Sequence, residues 1–447
     1  MTQLDDRLDN FLRGRRHKGR FRSLKEYDTS PHSGLTDFSS NDYLSLTSSE
    51  SLRSAYLERL ANSPQILGST GSRLLSGCSP AHSALENRLS TIFNSPSALL
   101  FNSGWDANVS FFATVPQASD WVICDELVHA SVHSGLRSSR VPPEKRVIFP
   151  HNSPEGLEKV LQQIVRNSSS GHDSTVFLAL ESLYSMDGDM APLPLLLDIF
   201  EQYVPRTRQC VVVDEAHSTG VYGEHGKGLV YALGEEGGWP PGDGNRRGKS
   251  RVDVRLMTFG KAVGCSGAVL LCSPTVRTFL INFARPFIFS TAMPHSTVIA
   301  LQCVWDLLLG SEGNKRRESL MAIVAYIHSH LNDLLRNTPA DLLRLPPNPA
   351  TPFTSYIPPH DTQSVSSSPL SPILGLLTPT PHALSAFLLE KGFIVRPVVP
   401  PTVPPGAERV RICLRAGMDK KIINQLMAAL REWVESKMNP CVMRAKL

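Results

Sequence analysis

Two residues of this chain stand where an acid and an amine could work on the same small molecule. Asp214 closes the run Cys210-Val211-Val212-Val213-Asp214-Glu215-Ala216-His217, and Lys261 follows Leu256-Met257-Thr258-Phe259-Gly260. An apolar run stopped abruptly by an acid reads as a buried parallel strand whose carboxyl end opens on a crevice, where open α/β sheets hold ligands. A lysine amine can hold an aldehyde cofactor as a Schiff base. A carboxylate against a pyridine nitrogen keeps that ring protonated and able to accept electrons from a substrate carbanion. The chemistry that needs both is pyridoxal phosphate chemistry, with Asp214 as the ring partner. Strand-Asp and strand-Lys pairs occur in many α/β proteins, so the pair alone leaves this one option among several.

Val-Val-Val-Asp-Glu-Ala-His is also how the Mg²⁺-binding strand of a nucleic-acid helicase reads. Such an enzyme needs a phosphate loop of the form G-x-x-x-x-G-K-[ST] earlier in the chain. The nearest approach, Gly244-Asn245-Arg246-Arg247-Gly248-Lys249-Ser250, has three residues between its glycines and lies after the acidic strand. It also follows Pro240-Pro241-Gly242, a loop composition. The helicase reading is set aside, and no metal site is expected.

The elements that would carry the pair alternate in type. Ala98 to Phe101 reads as a strand leading through Asn102-Ser103-Gly104-Trp105 into a helix, an arrangement that offers backbone N–H groups to a phosphate. Trp121 to Asp125 is a second strand, followed by His129. Ser153-Pro154 caps a helix whose face carries Leu157, Val160, Leu161, Ile164 and Val165. Thr175 to Leu180 is the next strand, then a polar turn at Ser185 to Asp189, and Gly267 to Leu271 is another strand. This rhythm predicts an α/β protein with a mostly parallel sheet between helices. From Asn41 to Gly77 the chain is rich in Ser and Gly, and Gly68-Ser69-Thr70-Gly71-Ser72-Arg73 suggests tight backbone.

A smaller α+β domain is expected beyond a boundary near residue 297, giving an N-terminal segment 1–50, a large domain 51–297 and a small domain 298–447. Leu320, Ile323, Val324, Ile327, Leu331, Leu334 and Leu335 trace a long amphipathic helix. Arg409 to Leu414 alternates as a half-buried strand. Ile422, Ile423, Leu426, Leu430, Trp433 and Val434 mark a last helix. Residues 235–252 read as a surface insertion and 345–372 as a Pro/Ser-rich loop.

The bulk properties are those of a globular protein. The chain has 447 residues, 41% of them hydrophobic, and a formal charge of +4 from 45 basic and 41 acidic residues, too balanced to argue for nucleic acid or membrane. Eight cysteines lack CxxC or metal spacing, which favours a reducing compartment over a disulfide framework. Pro286 to Trp305, a long stretch without charge, contains Pro294, His295 and hydroxyls and does not read as a membrane span. The first residues show neither a signal-peptide core nor transit-peptide composition. The basic run Arg13, Arg15, Arg16, Lys18, Arg20 and Arg22 is either a solvated helix face or a landing site for an anionic substrate.

Four motifs together resemble a known family. Asp214-Glu215-Ala216-His217-Ser218-Thr219-Gly220, Thr258-Phe259-Gly260-Lys261-Ala262, Ser185-Met186-Asp187-Gly188-Asp189, and Phe283-Ala284-Arg285 with Ser290-Thr291-Ala292-Met293-Pro294 all look like the α-oxoamine synthases. The resemblance runs from about residue 36 to 435. It implies pyridoxal phosphate fold type I, a homodimer with shared active sites, and condensation of an amino acid with an acyl-CoA, releasing CO₂ and CoA. Lys261 would then carry the cofactor and move the α-proton, Asp214 would pair with the ring nitrogen, and His129 would stack on the ring. Ser185 and His217 would bond around the phenolic oxygen. Gly104 and Trp105 would offer N–H groups to the phosphate, with Thr258 and, from the second subunit, Thr291. Arg411 would hold the amino-acid carboxylate, a task suited to a bidentate guanidinium. Ser72, Asn41 and Arg20 complete the substrate set.

Within the family, Pro400-Pro401-Thr402-Val403-Pro404 resembles the branch that joins L-alanine to pimeloyl-CoA in biotin biosynthesis. Ser72 before Arg73 agrees, since a small hydroxyl residue leaves room for alanine's methyl, although one methyl discriminates by only roughly 1–3 kcal/mol. A sibling using glycine or serine, or a simple aminotransferase, is the alternative. Lys227 stands where the family often has Arg, and Ser153 where it often has Asp. The terminal Ala445-Lys446-Leu447 is a variant of the peroxisomal Ser-Lys-Leu signal, with a cytoplasmic location as the alternative.

Overall fold

A computed structural model of the chain describes residues 2–30, 32–167, 174–235, 250–346 and 370–438. Most of the expected insertion at 235–252, most of the Pro/Ser-rich stretch and the whole terminal tripeptide lie outside the described residues. The strands are β1 (Thr36–Asp37), β2 (Ser97–Phe101), β3 (Trp121–Asp125), β4 (Arg146–Phe149), β5 (Val176–Glu181), β6 (Gln209–Asp214), β7 (Val254–Thr258), β8 (Ala268–Cys272), β9 (Ile373–Leu377), β10 (Phe393–Ile394), β11 (Arg396–Val398) and β12 (Arg409–Cys413). Seven of them make one sheet in the order β2-β8-β7-β6-β5-β3-β4. From β7 to β4 every pairing is parallel, and β8 runs antiparallel to both of its neighbours.

The apolar runs of these strands have no alternation because alternate side chains feed two different cores. Val212, Phe177, Ala179 and Leu256 join Phe111 and Phe112 of the helix Gly104–Thr114 on one face. Val211, Val213, Leu178 and Leu180 join Leu157, Leu161 and Ile164 of the helix Pro154–Asn167 on the other. A strand covered on both faces excludes water from its whole length, so only its carboxyl end is free to carry polar chemistry. Asp125, Glu181, Asp214 and Thr258 are the last residues of four such strands.

The carboxyl-terminal part packs an antiparallel sheet, β11-β12-β9, with the helices Ser311–Arg336, Pro381–Glu390 and Lys420–Met438. The long helix buries Leu320, Ile323, Val324, Ile327, Leu331 and Leu334, and the last helix buries Ile423, Leu426, Leu430, Trp433 and Val434. The amino-terminal segment belongs to the same assembly. β1 pairs with β10, and Phe38, Tyr43, Leu44 and Leu46 share one core with Ile412 and Leu426. Helix His295–Leu309 enters that core through Val298, Leu301, Val304, Trp305 and Leu308.

β12 departs from the half-buried strand expected of it. It is the central strand of its sheet, and Arg409, Val410, Ile412 and Cys413 are all buried, with only Arg411 partly exposed. The alternation is real, but the polar face is covered. Arg409 forms an ion pair with Asp187 and Arg411 reaches the Ser185 carbonyl, both in the turn after β5. Among the described residues no helix is long and apolar enough to cross a membrane.

Candidate active site

Asp214 ends β6 beside Glu181 of β5 in the strand register, and the turn after β7 delivers Lys261 to the same edge. Lys261 Nζ lies 2.9 Å from His217 Nε2, and His217 Nδ1 lies 2.7 Å from the Tyr43 hydroxyl. Tyr43 in turn is 3.2 Å from Asn41 Oδ1, which also accepts from Arg411 Nη2 at 3.4 Å. Thus Arg411, Asn41, Tyr43, His217 and Lys261 form one continuous polar chain, although they come from both ends of the sequence and its middle.

Asp214 is held separately. Its Oδ2 accepts from Asn108 Nδ2 at 2.8 Å and its Oδ1 from the Ala216 amide at 2.9 Å. Asn108 also donates to Ser131 Oγ at 3.0 Å, and Ser131 Oγ sits 2.7 Å from His129 Nδ1. His129 meets Trp105 edge to face with ring centroids 5.8 Å apart. Ser185 presents its carbonyl to Arg411 Nη1 at 3.2 Å.

Burial sets the protonation of this group. It lowers the pKa of the Lys261 amine although Asp214 and Glu181 oppose the shift, and it depresses His217 well below the usual range, helped by Lys261 and Arg411. Burial lowers His129 as well, and raises Glu181 well above the usual carboxylate range, helped by Asp214. The site therefore holds a neutral imidazole and an amine more nucleophilic than a surface lysine.

A second network fixes the turn that carries Ser185. His151 Nδ1 lies 2.8 Å from Asp125 Oδ1 and its Nε2 2.7 Å from Asp189 Oδ2, while the Asn152 amide donates to Asp125 Oδ2 at 2.7 Å. Burial alone would lower His151, but the hydrogen bonds and charges of both aspartates outweigh it and raise its pKa to about 10. Glu215, the middle of the Asp-Glu-Ala-His run, is fully buried and ion-paired with Arg255 of β7, and accepts from the Val230 amide at 2.9 Å. Its role is a strut between strands.

The remaining sequence-derived residues divide into two groups. Gly104 and Trp105 open the helix Gly104–Thr114, and a Cβ on Gly104 would stand 3.3 Å from Thr258 Oγ1, so the helix start and that hydroxyl share one cradle. Ser72 pairs with Thr291 in an isolated bridge, and Asn102 Nδ2 donates to the Thr291 carbonyl at 2.8 Å, a pairing separate from the hydrogen-bonded chain that ends at Lys261. Arg20 is exposed, its amide bonded to the Arg15 carbonyl at 2.9 Å. The helix Gln3–His17, which carries Arg13, Arg15 and Arg16, buries none of its residues. Of the two departures, Ser153 Oγ caps the Gly156 amide at 3.0 Å, and the Lys227 carbonyl accepts from Arg255 at 2.6 Å.

Sequence reasoning missed Tyr43, Asn108, Ser131 and Glu181. Asn108 carried a signal, being a polar residue on the buried face of an apolar helix, where Ala107, Phe111 and Phe112 are its neighbours. Tyr43 carried none, since its partner lies 174 residues away.

The residues present fit pyridoxal phosphate. A helix start without intrahelical partners for its first N–H groups, next to a threonine hydroxyl, suits a phosphate. A buried carboxylate held by Asn108 suits a pyridinium, and the amine beside it suits an aldehyde. Two buried polar atoms at this edge, Glu181 Oε1 and Arg411 Nε, have no protein partner.

Comparison with known proteins agrees. Residues 33–430 match the family model for aminotransferase class I and II. The chain is 37% identical over 437 residues to the 8-amino-7-oxononanoate synthase of Emericella nidulans, covering 97% of this chain and 96% of that protein. It is 30% identical over 403 residues to the aminoacyl transferase sphA of Aspergillus fumigatus, covering 88% and 80%. Among solved structures, Sphingomonas wittichii serine palmitoyltransferase superposes with a TM-score of 0.71 at 24% identity, over 89% of this chain and 86% of that one. The chain belongs to the aminotransferase class I and II family and, within it, to the α-oxoamine synthases, pyridoxal phosphate-dependent acyltransferases of fold type I.

Proposed function

We propose that this enzyme condenses L-alanine with pimeloyl-CoA to give 8-amino-7-oxononanoate, CoA and CO₂, working as a homodimer. The observation that carries the proposal is the joined chain Arg411–Asn41–Tyr43–His217–Lys261 at the strand edge of a protein 37% identical to an 8-amino-7-oxononanoate synthase over 97% of its length. Lys261 is the residue for the cofactor aldehyde, Asp214 for the pyridine nitrogen, His129 for the ring face, and Gly104, Trp105 and Thr258 for the phosphate. When bound, the cofactor supplies an electron sink for the pair left at the amino acid's α-carbon.

The chain's own residues do the rest. Arg411 grips the amino-acid carboxylate, and Ser72 is the residue for the side-chain pocket. Lys261, its pKa lowered by burial, removes the α-proton. The α-carbon then bonds to the thioester carbonyl, the C–S bond breaks and CoA leaves. His217, beside Lys261, is placed to steady the oxygen of that carbonyl. The β-keto acid so formed loses CO₂ and regains a proton at the α-carbon.

Exposed apolar residues support the dimer. On the amino-terminal helix Leu4, Leu8, Phe11 and Leu12 are 42–70% exposed, and Leu75 and Phe289 elsewhere are 82% and 71% exposed. Such surface is typical of a chain that meets a second copy. Arg20 and the basic run, on that same exposed segment, are kept as the site for CoA phosphates. The terminal Ala445-Lys446-Leu447 is kept as a peroxisomal address, tested by whether removing it moves a fluorescent fusion to the cytosol.

Two measurements test the function. Borohydride reduction of the holoenzyme and peptide mapping should place the cofactor on Lys261, and a tag elsewhere overturns that assignment. CoA release should be fastest with alanine and pimeloyl-CoA across a grid of alanine, glycine and serine against acyl-CoAs of differing length. Fastest turnover with another pair moves the chain to a sibling activity, the reading that the likeness to sphA favours. Transamination without CoA release points to an aminotransferase.

A further inference from the structure

The Tyr43 hydroxyl has one proton and two neighbours that could take it. If it donates to Asn41 Oδ1, His217 must offer Nδ1–H to the phenolic oxygen, and a bare Nε2 faces Lys261. If it donates to His217 Nδ1, the imidazole hydrogen must sit on Nε2, and the site meets a donor. The geometry favours the second arrangement. The contact to His217 is 2.7 Å and that to Asn41 3.2 Å, and O–H donors make the shorter bonds. Asn41 Oδ1 is already approached by Arg411 Nη2 at 3.4 Å and Cys413 Sγ at 3.8 Å. On the other side, Lys261 Nζ at 2.9 Å has a lone pair for the Nε2 hydrogen once its amine is neutral. Tyr43 is fully buried, so no water competes for the hydroxyl.

We infer that Tyr43 is a positioning residue that locks His217 in the Nε2–H tautomer, so that a neutral imidazole aims a hydrogen-bond donor at the reacting edge. The inference rests on the placing of the chemistry at Lys261 and His217. Its consequence is a division of labour. An imidazole that presents N–H cannot take a proton at that atom, so the α-proton belongs to Lys261. The donor serves the thioester oxygen, where negative charge grows as the new carbon–carbon bond forms.

Imidazole ¹⁵N spectra of the full-length protein, with and without cofactor, read the tautomer directly, and His217→Gln assigns the signal. The wild type is expected to show Nδ1 bare and Nε2 protonated, and a protonated Nδ1 overturns the proposal whether or not any variant folds. Tyr43→Phe should shift the population toward Nδ1–H and lower kcat about tenfold with the KM for the amino acid unchanged. An unaltered tautomer in that variant also overturns it. In a His217→Gln background, whose side-chain amide keeps a donor without a tautomer, Tyr43→Phe should add no further loss. Additive losses refute the coupling. Borohydride mapping of the same preparations is read separately, so misplacement of the cofactor is distinguishable from a wrong tautomer.

Discussion

One substitution should isolate a pH-dependent part of this protein's stability. His151 is caught between Asp125 at 2.8 Å and Asp189 at 2.7 Å, with the Tyr184 ring edge-on at a centroid distance of 4.4 Å. Its pKa rises from 6.5 to about 10. A group whose folded pKa lies above its unfolded value stabilises fully below the unfolded pKa and loses that contribution as pH climbs to the folded one. The window is therefore pH 6.5 to about 10. Integrating the linkage gives roughly 4 kcal/mol at pH 7, comparable with the ~3–5 kcal/mol expected when one partner of a buried ion pair is removed. His151→Gln preserves a hydrogen-bonding side chain and removes the charge. Urea unfolding of both proteins should show a gap of that order near pH 6.5, narrowing steadily toward pH 10. Titrating groups remote from His151 affect both proteins alike, so the gap isolates the cluster that His151 forms with Asp125 and Asp189. A gap that stays constant over the window, or one below about 1 kcal/mol at its acid end, refutes the reasoning, because the imidazole would then be neutral in the folded protein.

Three further outcomes follow from the same geometry. Arg255→Met leaves the fully buried Glu215 without its cation and should lower the unfolding free energy by about 3–5 kcal/mol; a neutral effect in urea unfolding denies it the role of strut. Gly104→Ala puts a Cβ 3.3 Å from Thr258 Oγ1 and should weaken cofactor retention by about 1–2 kcal/mol in equilibrium dialysis while circular dichroism stays unchanged; full retention separates that helix start from the phosphate site. Replacing Leu8 and Phe11 together by Ser should raise the dissociation constant of the proposed dimer in sedimentation experiments, and an unaltered constant removes the amino-terminal helix from the proposed interface.

The central sheet was legible because its physics is local in sequence. A strand buried on both faces has to be apolar at every residue, and β6 and β7 could be read from Val211 to Val213 and from Leu256 and Met257 alone. The ends of those strands were legible for the complementary reason. Asp214 interrupts an apolar run where water is excluded, and a charge there needs a purpose. β12 was harder. Its alternation gave the strand and its two faces, but alternation says only that one face is polar, and what covers that face comes from a turn more than two hundred residues earlier, through Arg409 and Asp187.

The same distance in sequence hid the groups that tune the site. Lys261 and His217 are recognisable by type, whereas their protonation is set by neighbours with no sequence pattern linking them. Asn108 comes from a helix before β3, Tyr43 from the loop after β1, and Glu181 from the strand next to Asp214. Each is a common residue type, and each reaches its partner at the site only when distant parts of the chain have come together. Fold and reactive atoms are thus written in patterns that a window of a few residues contains. The direction of each hydrogen bond between those atoms is fixed by the assembled core, and it is this direction at His217 that decides whether the imidazole gives or takes a proton.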